Sequence, residues 1–109
     1  MKDGSYRIIF TTDNGVLGEG VCLFRDNQYV GADFIHSYHG RVLEEGEQVR
    51  VSMHCRRHGA EFVSRMNLPM EFDVEWQGEH TPNGFKLNTR LPGVDVELTC
   101  TGTQNAELA

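Results

Sequence analysis

Apolar and polar residues alternate with a period of two along most of this chain. That is the spacing of a strand with one face buried and one in water. The alternation is cleanest in the second half. Phe72, Val74 and Trp76 alternate with Glu71, Asp73, Glu75 and Gln77. Phe85 and Leu87 alternate with Lys86, Asn88 and Arg90, and Val94, Val96, Leu98 and Cys100 with Asp95, Glu97, Thr99 and Thr101. In the first half Tyr6, Ile8 and Phe10 share one face of a strand over Tyr6–Thr11. Gly18–Arg25 and Gln28–Asp33 follow as further strands, the former with glycines at 18 and 20 that predict a bend or bulge.

Tyr38–His54 reads as two extended runs around a tight tip, Glu44-Glu45-Gly46-Glu47, with Val49, Val51 and Met53 on one face of the second run. Gly46 can take φ > 0, so a short hairpin is predicted there. Turn signals punctuate the rest: Asp13-Asn14-Gly15, Asp26-Asn27, Pro82-Asn83-Gly84 and Leu91-Pro92-Gly93. One stretch has no period, Cys55–Pro69, a connection long enough to be functional or to cover an opening. A short helix over Ala60–Met66 is compatible with it, bounded by Gly59 and Pro69.

Short strands joined by local turns favour an antiparallel meander. The fold class expected is all-β: an eight-stranded up-and-down β-barrel of lipocalin type, since closure removes exposed edges and about eight strands leave an interior that side chains nearly fill. An open sandwich is the alternative. Residues 1–103 are expected to form this single domain, with 104–109 a loose C-terminal tail, because Gln104–Ala109 has no pairing pattern.

Charge narrows the function. A net charge of −6, with Arg56-Arg57 the only adjacent basic pair, argues against direct nucleic-acid binding, which needs a clustered basic surface. No apolar run reaches the length of a membrane-spanning helix, and MKDGSYRIIF lacks the apolar core of a signal peptide. Three cysteines, Cys22, Cys55 and Cys100, are an odd set without a pairing framework, so a cytoplasmic protein with reduced thiols is expected.

Candidate chemistry is sparse. His36 and His39 on one strand point to opposite faces, and His54 and His58 around a strand end bring no full ligand set, so no metal or other cofactor is expected. Cys55 lies between His54 and Arg56-Arg57, a setting able to lower a thiol pKa, but adjacent strand residues face apart and no third orienting group accompanies it. Glu71, Asp73 and Glu75 lie in a row on the wet side of one strand. Gly18-Glu19-Gly20 lacks the third glycine and following helix of a phosphate loop. The chain is not expected to be an enzyme. Two surfaces remain: the acidic tip (Glu44, Glu45, Glu47) as a contact for a basic partner, and an interior lined by Phe10, Val51, Phe72, Val74, Trp76, Phe85 and Val96. Those seven side chains either fill the barrel or enclose a lipid fragment or other small apolar ligand.

The opening MKDGSYRIIF, Gly18-Glu19-Gly20, Gly31-Ala32-Asp33, and Ser37-Tyr38-His39-Gly40 ahead of the acidic tip resemble, in order and spacing, the GrlR family. These are small negative regulators of type III secretion in Gram-negative bacteria. The likeness covers roughly the first 60 residues well and the last 40 mainly by strand pattern. It implies a calycin-like eight-stranded barrel with an apolar interior, a plug-like loop at one end, and a homodimer. The function it implies is anti-activation, the binding of a helix-turn-helix transcriptional activator that keeps it from its promoter. An acidic Glu-Asp-Glu-Asp surface motif is implicated in that contact. It falls here on Glu44, Glu45, Gly46 and Glu47, and Gly46 departs from it by removing one charge. Cys55–Pro69 is the candidate plug.

Overall fold

A computed structural model describes residues 1–59, 68–91 and 96–107, with residues 106 and 107 described by backbone alone. The described residues form eight strands and no helix. They are β1 (Gly4–Thr12), β2 (Gly15–Arg25), β3 (Gln28–Asp33), β4 (His36–Glu45), β5 (Gln48–Arg57), β6 (Glu71–Thr81), β7 (Gly84–Arg90) and β8 (Glu97–Glu107). Each pairs antiparallel with the next, and β8 returns to β1, so the sheet closes into an up-and-down barrel. The open sandwich is thereby excluded.

Local chemistry sets the corners. Arg25 pairs with Gln28 around Asp26 and Asn27, both at positive φ (53° and 63°), the left-handed pair that a twisted two-residue hairpin requires. Glu45 pairs with Gln48 around Gly46-Glu47, with Gly46 at φ 64°. The expected bulge is present where Phe10 faces Gly18 but Thr11 faces Val16, leaving Leu17 extra. A second lies between Ser5 and Tyr6 opposite β8. Such bulges add the twist and bend that closure needs.

The even-numbered residues of β1 and β4, and of β2 beyond the Leu17 bulge, face inward, as do the odd-numbered ones of β5. Tyr6, Ile8, Phe24, Tyr38, Val49, Val51, Met53, Trp76, Phe85 and Leu98 are buried in one continuous core. Gly102 belongs to it as well: it lies beside Phe85 in the ladder, and the ring covers the space that a Cβ would take.

Two boundaries differ from the sequence reading. The tail is not loose from 104, because Gln104–Glu107 continues β8 and pairs with Gly4–Tyr6. Polar residues hid this pairing, which β1 and the turn at Asn83 supply: Gln104 N–H donates to the Asn83 carbonyl at 2.8 Å. The last strand begins at Glu97 rather than Val94, with Val96 in a bend; Val94 lies outside the described residues. The helix expected over Ala60–Met66 likewise lies outside them.

Alternation sorts the connections between the two barrel ends. The β1–β2, β3–β4, β5–β6 and β7–β8 connections lie at one end, and the β2–β3, β4–β5 and β6–β7 turns at the other. The long connection between β5 and β6 therefore sits at the end opposite the acidic tip.

Candidate functional site

At the end with the long connection the barrel holds an apolar cavity of about 230 Å³. Its floor is Phe10, Tyr38, Met53 and Trp76, and its upper walls include Cys55, Leu68, Phe72, Leu91 and Leu98. Phe10 packs edge-on to Tyr38 (ring centroids 5.7 Å apart) and tilts against Trp76 at 5.9 Å. The same four floor residues also border a second void of about 40 Å³ deeper in the barrel, between Ile8, Phe24, Val42, Val51 and Phe85. They form a partition. Below it the interior is close to solid; above it there is room for a molecule.

Leu68 brings the long connection into the site. It is buried and lines the cavity, and its carbonyl accepts from Arg57 Nη2 at 2.7 Å. The neck of this connection is closed by Arg57 N–H donating to the Met70 carbonyl at 2.8 Å. The β3–β4 turn forms another part of the rim. Asp33 Oδ1 accepts from the N–H groups of Ile35 (2.8 Å) and His36 (2.7 Å), fixing the turn that carries Phe34, which is 82 % exposed.

Glu19, Asp33, His36 and Tyr38 interrupt the mostly apolar lining. His36 and Tyr38 are inward residues of β4 that line the cavity, and among the described residues His36 Nε2 and Tyr38 Oη are buried without a hydrogen-bond partner. A buried polar atom left unpaired costs about 1–3 kcal/mol. Burial holds the His36 pKa below its usual value, Asp33 opposing that shift and Arg57 and His58 adding to it, so the imidazole is neutral near pH 7. Burial pushes the Tyr38 phenol far up, with Asp33 adding to the shift, and keeps its proton.

Of the seven interior residues expected from the sequence, Phe10, Phe72 and Trp76 line this cavity, and Val51 and Phe85 line the smaller void. Val74 and Val96 line neither. Val74 packs half-buried against the core, and Val96 lies in the bend before β8, off the ladder that aims Leu98 and Cys100 inward. Among the residues missed are Tyr38, His36, Met53, Cys55, Leu68, Leu91 and Leu98. Counting in twos from Val42 back to His36 would have placed the first two inward; the loop residues carry no such signal.

The thiol reading needs correction. Cys55 faces inward between Tyr38 and Phe72 in the ladder, and burial pushes its pKa up to about 12 rather than down. The basic neighbours Arg56 and His54 face away from it, as adjacent strand residues must. Outside the barrel His54 is held between Asp73 Oδ1 and Glu71 Oε1, each at 2.8 Å, which raises its pKa through those hydrogen bonds. His39 lies beside it with ring centroids 5.3 Å apart, while His36 faces inward, as expected for an i, i+3 pair on a strand.

At the far end the three glutamates of the tip are not equivalent. Glu44 Oε1 accepts from the Met1 ammonium, and Glu44 Oε2 lies 3.9 Å from His80 Nε2. Glu45 and Glu47 are exposed, and among the described residues neither carboxylate has a cationic partner. Exposed apolar residues gather elsewhere, on the outer faces of β2 and β3, where Leu23 sits opposite Val30 and Val21 is two residues away.

Set against known proteins, the chain matches no protein-family model and no curated protein sequence.

Proposed function

We propose that this chain is a binding protein that holds a small, mostly apolar molecule at the open end of its barrel. The observation that carries this is the cavity of about 230 Å³ above a packed floor, with a mostly apolar lining. Ligand pockets are characteristically apolar with a few convergent polar groups. The protonated, buried thiols supply no nucleophile, which favours binding over catalysis.

The test is native mass spectrometry of the protein before and after delipidation, with titration of Trp76 emission by 1-octanol. An adduct or a saturable emission change is expected, lost in Leu98→Phe, which fills the cavity. A stable wild-type barrel that shows neither overturns the reading.

A second reading has its own observation: Glu45 and Glu47 stand exposed and unpaired at the end away from the cavity. They fit a basic partner, and the resemblance to the GrlR family makes that partner the DNA-binding face of a transcriptional activator. Charge complementarity of this kind mainly steers association. Glu44, tied to the N-terminus, is assigned to the fold rather than to the contact. Glu45→Ala/Glu47→Ala should then weaken co-purification of the partner from host cells while leaving the urea midpoint unchanged. Equal recovery by the double variant and the wild type refutes it. For the homodimer implied by the same resemblance, the outer Val21, Leu23 and Val30 cluster is the candidate face, because a closed barrel presents few free edges.

A further inference from the structure

We propose that the open stretch of β6, Glu71–Glu75, is a docking edge for an extended segment of another protein in which basic residues alternate with apolar ones. This surface is separate from the cavity and from the acidic tip, and the inference stands without either.

The ladder between β6 and β7 is incomplete. β6 pairs with β5 from Glu71 to Glu79, but with β7 only from Gln77 to Thr81. Asn88 is the last β7 residue paired to β6, although β7 runs on to Arg90 beside β8. Where the two strands part, the wall carries a groove of about 440 Å³ bordered by Glu75 and Gln77 on one side and Asn88, Thr89 and Arg90 on the other.

Backbone direction shows what the gap leaves unused. The even-numbered residues of β6 turn their N–H and C=O toward β5: the Met70 carbonyl accepts from Arg57 N–H, and His80 N–H donates to the Glu47 carbonyl. Successive strand residues alternate, so the odd-numbered ones turn the other way. The Glu75 carbonyl there accepts from Thr89 Oγ1 at 2.6 Å. Among the described residues nothing bonds the N–H or C=O of Glu71 and Asp73, or the Glu75 N–H. Side-chain cover is incomplete at the same place. Inward Trp76 is buried, whereas inward Phe72 and Val74 are only half-buried. An added strand covers both.

Charge selects that strand. Glu71, Asp73 and Glu75 lie on the outer face about 7 Å apart. His54 takes one oxygen from each of the first two, yet their side chains stay 54 % and 84 % exposed. Glu75 has no ion-pair partner among the described residues. A second copy of this edge would set acids against acids, a protection that edge strands commonly carry. A lysine or arginine at every second position instead meets each acid across the strand pair. The residues between them then fall beside Phe72 and Val74 and are apolar. Strand addition of this kind draws affinity from main-chain bonds and specificity from alternate side chains.

The probe is an end-capped seven-residue peptide of alternating lysine and valine, titrated into ¹⁵N-labelled protein at pH 7. Amide exchange at Glu71, Asp73 and Glu75 should slow at least about tenfold on saturation. Methylating the lysine backbone nitrogens, which face β6, should weaken binding at least about tenfold, and so should glutamate in place of lysine. Asp73→Pro removes an edge N–H that the barrel does not use, so it should fold and bind at least about tenfold more weakly. Asp73→Asn keeps that N–H, loses one charge, and should weaken binding only about threefold. If Asp73→Pro does not fold, the methylated peptide makes the same test on the wild type. No binding of the lysine peptide, or equal binding of its methylated form, overturns the proposal. So does binding that leaves these three amides unprotected, which would place the peptide on Glu45 and Glu47 or elsewhere. Protection already present in the free protein and lost on dilution would make the occupant a second copy and overturn it as well.

Discussion

Gly102→Ala is the sharpest probe of how solidly the barrel is packed below its partition. Gly102 faces inward on β8, paired with Ile8 on one side and Phe85 on the other. A Cβ there would fall within 3.0 Å of Phe85 Cε1, Cζ and Cε2, closer than real contacts allow. The ring cannot swing freely, since Phe85 is buried and packs against Tyr6 with centroids 5.7 Å apart. Overpacking of a filled core costs about 1–3 kcal/mol. Replacing glycine also removes freedom from the unfolded chain, which offsets about 0.4–1 kcal/mol. A net loss of about 1.5 kcal/mol follows, or about 6–10 °C in Tm for a domain of this size. Phe85→Leu alone should cost about 1.5 kcal/mol by shrinking a buried side chain. In the double variant the smaller side chain vacates the space that the new methyl needs, so the costs should fall short of their sum by about 1–2 kcal/mol. Urea melts of the four proteins, followed by circular dichroism, measure this cycle. A Gly102→Ala midpoint equal to the wild type, or a strictly additive double variant, would refute the packing described here.

Other outcomes follow from the same physics. At pH 8 a disulfide reagent should leave all three thiols untouched in the folded protein and label three in urea, because burial pushes Cys22 up to about 11, Cys55 up to about 12 and Cys100 further; rapid labelling of Cys55 in the fold contradicts this. His54 and His36 should act on stability in opposite directions. The raised His54 pKa gives a contribution that is full below its unfolded value of about 6.5 and is lost as pH rises through the folded value. The depressed His36 pKa disfavours the fold as pH falls below about 6.5. Urea midpoints from pH 5 to 9 should therefore lose part of their alkaline decline in His54→Gln; an unaltered profile counts against the His54 pairing. Tyr29→Phe removes the hydrogen bond from Tyr29 Oη to the Ser52 carbonyl (2.8 Å), which ties β3 across β4 to β5, and should cost about 1 kcal/mol by the same assay. A midpoint at or above that of the wild type would show that this bond adds nothing.

The strand pattern was legible because a period of two is a local property. Phe72, Val74 and Trp76 declare a buried face whatever lies opposite, and Gly46 or Asp26-Asn27 declare a turn without reference to the rest of the chain. Closure was inferable from the number of strands and from the glycine at the Leu17 bulge. By contrast, the extent of β8 was hidden, since Gln104–Glu107 is polar and acquires its place only when β1 offers an edge.

The acidic hairpin was read correctly as a tip, yet its three glutamates looked alike until the fold brought Met1 to Glu44. The cavity shows the same division. Sequence named aromatic and aliphatic residues as interior, which burial chemistry dictates residue by residue. It could not say which of them pack solid and which surround space, because a void depends on side chains from seven strands and three connections meeting or failing to meet. That the basic neighbours of Cys55 face away from it followed from the strand pleat, but the depth of burial that keeps its thiol protonated came only from the fold. The period-two pattern fixed which side chains point inward. The tertiary structure alone decided that those below Phe10, Tyr38, Met53 and Trp76 touch, and that those above leave room around His36 and Tyr38.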